Sequence, residues 1–230
     1  LIKEKRLSLN PEKMKEYMDK VKNIKKETNI FTYEDWLVEN EPSKEDFEAQ
    51  KAYKFARTPK ISIITPAYNT PAIFFDELMI SLQSQTYPNW ELCLADGGSS
   101  EETINCFKKW QEKEPRLKVV YLTENKGIAG NTNAAAELAD GEYIALLDHD
   151  DVLPPDALFE MAKAAVEQGG DFIYSDSDNF DEEKRHSPFF KPDFSPDFLR
   201  SINYICHFTM MSTQLFNDAG RFRSGFDGSQ

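Results

Sequence analysis

Tyr143-Ile-Ala-Leu-Leu-Asp148-His149-Asp150-Asp151-Val-Leu153 is the stretch on which the fold turns. Its apolar and aromatic run, Tyr143 to Leu147, reads as a strand buried on both faces, as in a parallel sheet. Asp148, His149, Asp150 and Asp151 follow where that strand should end. Three acids so close together repel one another unless something positive sits between them. In open α/β sheets the carboxyl ends of strands are where ligands bind. Carboxylates grouped there suit a hard divalent cation, which also draws phosphate oxygens. The same residues also suit a solvated acidic turn ahead of a helix begun by Pro154 and Pro155, with Asp as its N-cap.

Working outward, the chain before this strand alternates strands and helices. Ile61 to Thr65 reads as a first strand, followed by the loop Pro66-Ala67-Tyr68-Asn69-Thr70 and a helix that begins at Pro71. Glu91 to Ala95 is a second strand, ending at Asp96-Gly97-Gly98-Ser99. Ser99 with Glu102 reads as a capping box for the next helix, which Pro115 stops. Lys118 to Leu122 is a third strand, followed by Asn125-Lys126-Gly127-Ile128 and a small-residue helix through Ala134, Ala135 and Leu138. Such alternation means a mostly parallel sheet, Rossmann-like, with right-handed crossovers and flanking helices. Each strand then delivers a polar loop to one edge: Tyr68 and Asn69, Asp96, Lys126, and the acidic cluster. Together they describe a nucleotide pocket, with an aromatic face, a carboxylate for a base N–H, glycines near phosphates and a metal site. No Gly-x-Gly-x-x-Gly follows the first strand and no Walker-type Gly-Lys-Ser/Thr occurs, which disfavours dinucleotide folds and P-loop enzymes.

Residues 1–56 differ in character, being rich in Lys and Glu and free of Gly. Asn10-Pro11 opens a helix carrying Met14, Tyr17, Met18, Val21 and Ile24, and Thr32 to Leu37 reads as a second, anchored by Trp36. The expected division is a helical extension over 1–56 and the main domain over 57–230.

Composition narrows the partners. A net charge of −13 over 230 residues argues against nucleic acid, but a metal ion would still admit an anionic ligand. Three scattered cysteines, Cys93, Cys106 and Cys206, make neither a disulfide framework nor a zinc site, and fit a reducing compartment. No apolar run nears the ~20 residues needed to cross a bilayer. The expected location is the cytoplasm, with its membrane face as an alternative. The chain opens at Leu1 and stops at Gly225-Phe-Asp-Gly-Ser-Gln230, so both ends read as cut from something longer.

Thr65-Pro-Ala-Tyr-Asn69, Gln83-Ser-Gln-Thr-Tyr-Pro-Asn-Trp-Glu-Leu92, Asp96-Gly-Gly-Ser99, Asn125-Lys-Gly-Ile128, Thr132-Asn133-Ala134-Ala135 and Leu147-Asp-His-Asp-Asp-Val-Leu153 appear in one order. In that order and spacing they resemble the inverting family 2 glycosyltransferases, over roughly residues 59–230. The resemblance implies a GT-A fold, a nucleoside-diphosphate sugar donor, and Mn²⁺ or Mg²⁺. By the same resemblance the donor lies across Pro66, Ala67, Tyr68, Asn69, Asp96, Lys126, Gly127, Asn133, Asp148 and His149. Tyr68 would face the base and Asp96 would accept from its ring N–H, usually that of uracil. Asp148-His149-Asp150 matches the Asp-x-Asp signature, which makes Asp150 the direct metal ligand and puts Asp148 near the ribose or metal. Relatives often carry an Arg before Asn133; here Gly130-Asn131-Thr132 occupies that run, and Lys126 is the available cation.

The later segments Tyr174-Ser-Asp-Ser-Asp178, Phe190 to Leu199 and Asn203-Tyr-Ile-Cys-His207 resemble a bacterial subset that builds cell-surface polysaccharides. This half would meet a glycan or lipid-linked acceptor. Asp176 and Asp178 either face the cleft or form turns before a charged loop, Asp181 to Arg185. His207 reads as a core histidine before a ligand, and Lys191 as a partner of Asp193. The inverting reaction needs a carboxylate base; in relatives it follows a stretch like Gly225 to Gln230, which places it beyond Gln230. Asp227 is the nearest acid within the chain and reads as a loop residue. Two other readings compete. One is a phosphatase of the haloacid-dehalogenase type, whose motif belongs to a first strand rather than a fourth. The other is a sugar-nucleotide module that binds without catalysis.

Overall fold

The computed structural model describes residues 30–181 and 184–226. The helix expected from Asn10 to Ile24, and Asp227, lie outside the described residues. Contacts divide the chain into one unit ending at Glu41 and another starting at Pro42. In the first, α1 (Tyr33–Asn40) begins at a reciprocal capping box between Thr32 and Asp35. Trp36 is half-buried and stacks on Tyr33 at 5.8 Å.

In the second unit, α2 (Lys44–Ala52) is capped by Ser43 and Asp46 in the same way. The composition shift lies near residue 56, whereas the contact division comes earlier, because α2 and its successors pack on the main domain. Gln50 accepts from the Thr86 hydroxyl at 2.8 Å, and the Tyr53 hydroxyl donates to Glu167. Phe55 meets Tyr87 and Phe159 edge-on, both at 5.3 Å.

The domain continues β1 (Ile61–Ala67), α3 (Ala72–Gln83), β2 (Trp90–Asp96), α4 (Glu101–Lys113), β3 (Leu117–Tyr121), α5 (Gly127–Ala136), β4 (Tyr143–Leu146) and α6 (Ala157–Glu167). Then come β5 (Phe172–Tyr174), β6 (Ser177–Phe180), β7 (Arg185–Phe189), α7 (Pro196–Ser201), β8 (Thr209–Ser212) and α8 (Thr213–Asp218). The main sheet has the order β3-β2-β1-β4-β8-β5. Its first four strands are parallel, while β8 runs antiparallel to both β4 and β5.

The two-residue period of the strands sorts the core into two layers. Ile61, Ile63, Leu92 and Leu94 join Phe75, Leu78, Phe107, Leu158 and Met161 on one face. Ile64, Cys93, Ala95 and Ile144 meet Ala135, Ala136 and Phe216 on the other. Small side chains on that second face let α5 lie close to the sheet. Cys93 is a buried thiol, as its apolar surroundings in the sequence suggest, and burial pushes its pKa up to about 12.

One local expectation needs correction. The α4 N-cap is Ser100, whose hydroxyl accepts from Thr103 N; the Ser99 hydroxyl is instead engaged by Asn69 N at 2.7 Å. In the charged segment Asp181 to Arg185, Asp181 N donates to Lys184 O at 3.1 Å, and Lys184 N to Asp181 Oδ1 at 2.9 Å. These bonds close a hairpin between β6 and β7.

At the amino ends of the parallel strands Gly141 fits tightly. A Cβ there would lie 2.5 Å from Lys60 O and 2.6 Å from Ser62 Oγ, with rigid backbone on one side. Gly141→Ala is expected to destabilise the domain by about 1–3 kcal/mol. A shift of the denaturant midpoint at unchanged slope would report it.

Candidate active site

The loops leaving β1, β2, β3 and β4 are tied to one another at one edge of the sheet. Gly97 N donates to Ala67 O at 2.8 Å, and Leu122 N to Asp96 O at 2.9 Å. Asn69, at φ 50°, is left-handed, a conformation Asn tolerates. Its Oδ1 accepts from Ser100 N at 2.9 Å. The Thr65 hydroxyl donates to Leu147 O at 2.8 Å, joining β1 to the exit of β4. Gly97 leaves room for the start of α5, since a Cβ would stand 2.7 Å from Asn131 Nδ2. Asn131 in turn accepts from Lys126 N at 3.1 Å and donates to Asn125 Oδ1 at 3.0 Å, and Asn125 Oδ1 also accepts from Gly127 N.

On this rim Tyr68 is 49% exposed and Asp96 is wholly buried at 0%. Both Asp96 oxygens accept from Ser99 N at 3.3 Å, a long contact. Asn69 and Lys126 are exposed. A cavity of about 270 Å³ is lined among others by Pro66, Ile128, Asp148, Phe172, His207 and Phe222; Tyr68, Asn69, Asp96 and Lys126 are not in its lining. Asn133 does not offer its amide to this space. Its Nδ2 donates to Phe222 O at 2.8 Å and its Oδ1 accepts from Phe222 N at 3.1 Å. These two bonds clasp the Phe222 segment of the wall. His149 is half-buried, and its Nδ1 is buried without a hydrogen-bond partner.

Among the described residues, one group could hold a metal ion: Asp148, Asp151 and His207, with donor atoms within 4.8 Å of one another. His207 Nδ1 lies 3.3 Å from Asp151 Oδ2 and 3.6 Å from Asp148 Oδ2. Burial raises the Asp148 carboxyl above its ordinary range, His207 opposes that, and Asp151 and Asp150 add to it. The hydrogen bond to Asp151 raises His207, against burial and with help from Asp148. Two carboxylates and an imidazole are oxygen and nitrogen donors suited to Mn²⁺ or Mg²⁺. The reading of His207 as a core histidine is therefore corrected: it sits on the acidic pair. The turn in which Asp151 N donates to Asp148 O at 3.4 Å brings those two acids together. A three-residue spacing across a turn was the available signal for Asp151. No local signal marks His207, which is brought there by the pairing of Thr209, at the start of β8, with Leu146 at the end of β4.

Asp150 is exposed and stands outside that trio. It lines a second cavity of about 660 Å³ with Asp151, Asp178, Phe180, Lys184 and Arg185. Asp178 accepts from Arg185 Nε at 2.6 Å. Asp176 accepts from the backbone N–H of Lys191 at 2.7 Å, so it fastens a loop. The Lys191 ammonium, expected on Asp193, donates instead to Ile205 O and His207 O, and burial lowers its pKa.

Comparison with known proteins places this geometry. Residues 62–220 match the family model described as Glycosyl transferase family 2. The O-antigen biosynthesis protein RfbC of Myxococcus xanthus is 33% identical over 205 residues, covering 88% of this chain and 16% of that protein. S. aureus TarS 1-349, solved in complex with UDP-GlcNAc, superposes with a TM-score of 0.61 at 25% identity, over 71% of this chain and 48% of that one. The mannosyltransferase PcManGT from Pyrobaculum calidifontis, solved with GDP-Man and Mn²⁺, gives a TM-score of 0.57 at 20% identity, over 80% and 55%. The chain thus spans 16% of RfbC and about half of each solved neighbour.

Proposed function

Since the chain belongs to glycosyl transferase family 2, we propose that it moves a sugar from a nucleoside-diphosphate donor, UDP-linked, to a glycan or lipid-linked acceptor in cell-surface polysaccharide synthesis. The observation that carries this reading is the tying together of four strand-end loops at one edge of the sheet, where a cavity lined by Asp148 and His207 opens and those two residues meet Asp151 in a group able to hold a metal ion. RfbC and TarS support the polysaccharide context and the UDP-sugar class by likeness.

In this reading Tyr68 lies against the base and Asp96 accepts its ring N–H, exchanging a long backbone contact for a shorter bond. Lys126, at the start of α5, provides the positive side chain nearest the diphosphate. Asp148, Asp151 and His207 hold the cation, with Asp150 on the side of the larger cavity. A divalent ion bound there would neutralise charge gathering on the leaving diphosphate. Inversion requires a carboxylate on the opposite face to accept the acceptor's hydroxyl proton. The 660 Å³ cavity, with Asp178 in its wall, is where an acceptor would approach. No helix among the described residues is long and apolar enough to cross a membrane.

Thermal unfolding of the protein with UDP-sugars, with and without Mn²⁺, tests the reading. A ligand at a hundred times its dissociation constant adds about 2.7 kcal/mol. Stabilisation by a UDP-sugar that grows with Mn²⁺ is expected; indifference to every nucleotide sugar would contradict it. Asp96→Ala is expected to weaken UDP binding by about 1–3 kcal/mol, as a base donor loses its buried partner. Calorimetric titration of UDP into wild type and variant measures this. Equal affinities would remove Asp96 from the site.

A further inference from the structure

The segment carrying His207 is held by a charged side chain from outside the trio. The Lys191 ammonium donates to two main-chain carbonyls, Ile205 O at 2.6 Å and His207 O at 2.7 Å. Hydrogen bonds from a charged donor are stronger than neutral ones, and here both fall on one short turn. Cys206, between those carbonyls, has a φ of 42°, in a left-handed region that residues other than Gly, Asn and Asp seldom visit. A conformation of that kind persists when its surroundings hold it.

Lys191 is itself anchored. Its own N–H donates to Asp176 Oδ1 at 2.7 Å. The carbonyl of the next residue, Pro192, accepts from the Tyr174 hydroxyl at 2.8 Å. Three residues further on, Ser195 N donates to the Tyr204 hydroxyl at 2.9 Å. Contacts therefore run from the end of β5 through Asp176 and Lys191 to the backbone of His207. The imidazole at the end of this path meets Asp151 and Asp148 at 3.3 and 3.6 Å.

We propose that Lys191 is a positioning residue for the cation site: by gathering the Ile205 and His207 carbonyls it holds the His207 imidazole where it can share a cation with Asp148 and Asp151. The inference rests on the reading of that trio as the metal site. Lys191 acts through His207, since its ammonium is engaged with backbone and contacts neither acid of the trio. Groups that orient metal ligands change metal affinity by about 10–100-fold when removed.

Mn²⁺ alone, titrated into the full-length protein and followed by electron paramagnetic resonance of the free ion, gives the needed affinity. Four forms are compared: wild type, Lys191→Met, His207→Ala and the double variant. Lys191→Met is expected to weaken Mn²⁺ binding about tenfold. In the His207→Ala background it is expected to change nothing further, the signature of two residues acting as one unit. Equal losses in both backgrounds, or no loss when His207 is present, would overturn the proposal. Should Lys191→Met fail to fold, Lys191→Gln keeps one donor, and its smaller loss must likewise vanish without His207. If wild type binds Mn²⁺ but His207→Ala binds it as well, the trio as metal site fails, and the role of Lys191 fails with it.

Discussion

Asp148→Ala is expected to reduce Mn²⁺-supported binding of UDP, and turnover of the donor, on the order of a thousandfold, the several kcal/mol that a bound divalent ion supplies to phosphate chemistry. Asp148 is the carboxylate shared by the 270 Å³ cavity and the metal-capable trio, so its loss is expected to strike nucleotide and cation together. UDP affinity without metal should fall far less, because the contacts proposed for Tyr68 and Asp96 are at the base end. Asp150→Ala makes the informative contrast. The signature read from sequence makes Asp150 the direct ligand, whereas the geometry gathers Asp148, Asp151 and His207. If Asp150→Ala abolishes Mn²⁺ binding while Asp148→Ala spares it, the ligand assignment drawn from the structure is wrong. Titrations of both variants with Mn²⁺ and UDP decide between them.

The second large effect lies at the opposite end of the sheet. Glu91 is 1% exposed and meets Lys60 at 2.5 Å and Lys118 at 2.8 Å. It also accepts from the Ser62 hydroxyl at 2.7 Å and from Asp140 N at 3.0 Å. Asp140 closes the ring through Lys118 at 2.9 Å and through Lys60. Glu91→Ala would leave two lysines without their buried partner, and breaking such a pair costs about 3–5 kcal/mol. Denaturant unfolding should show that loss; a loss below about 1 kcal/mol would place the ring among exposed pairs of little worth.

The ring also sets the sign of the pH dependence. Burial opposes ionisation of Glu91, but the bonds to Lys118, Lys60, Asp140 N and Ser62 outweigh it, so its folded pKa is lowered. Lys60 and Lys118 hold the Asp140 carboxyl down at about 2. A carboxylate lowered on folding stabilises above its unfolded pKa, about 4, and that stability drains as pH falls through the folded value. Lys118 is raised, its bonds to Glu91 and Asp140 outweighing burial. Its contribution is complete below the unfolded lysine pKa, about 10.4, and is lost as pH rises through the folded one. Wild type should therefore lose stability on acidification below about pH 4, and Glu91→Gln should flatten that limb.

Much of this architecture is legible in the chain itself. β1, β2 and β4 are short, continuous apolar runs closed by polar residues, so both their existence and their parallel pairing follow from burial on two faces. That the polar residues after them share one edge follows from the same topology. Distant closure is what sequence pattern does not carry. Thr209-Met-Met-Ser212 has no strand signal strong enough to stand alone; it becomes a strand because β4 and β5 present edges on either side of it. With it comes His207, whose place beside Asp148 is a fact of tertiary structure. Asn133 pairs its amide with the backbone of Phe222, a residue with no periodic relation to it. Ser99 reads as a good cap, but its hydroxyl is engaged by Asn69, a residue of another loop, and Ser100 caps the helix instead. Glu91 looked like one polar residue in an apolar strand until Lys60, Lys118 and Asp140 were brought around it.

Crystals grown with UDP and Mn²⁺, with data collected where manganese scatters anomalously, put the central assignment to the most direct test. The anomalous peak is expected among the side chains of Asp148, Asp151 and His207, with the diphosphate beside it and the uracil between Tyr68 and Asp96. A peak bound elsewhere, or a nucleotide seated away from the edge where the four loops meet, would contradict it.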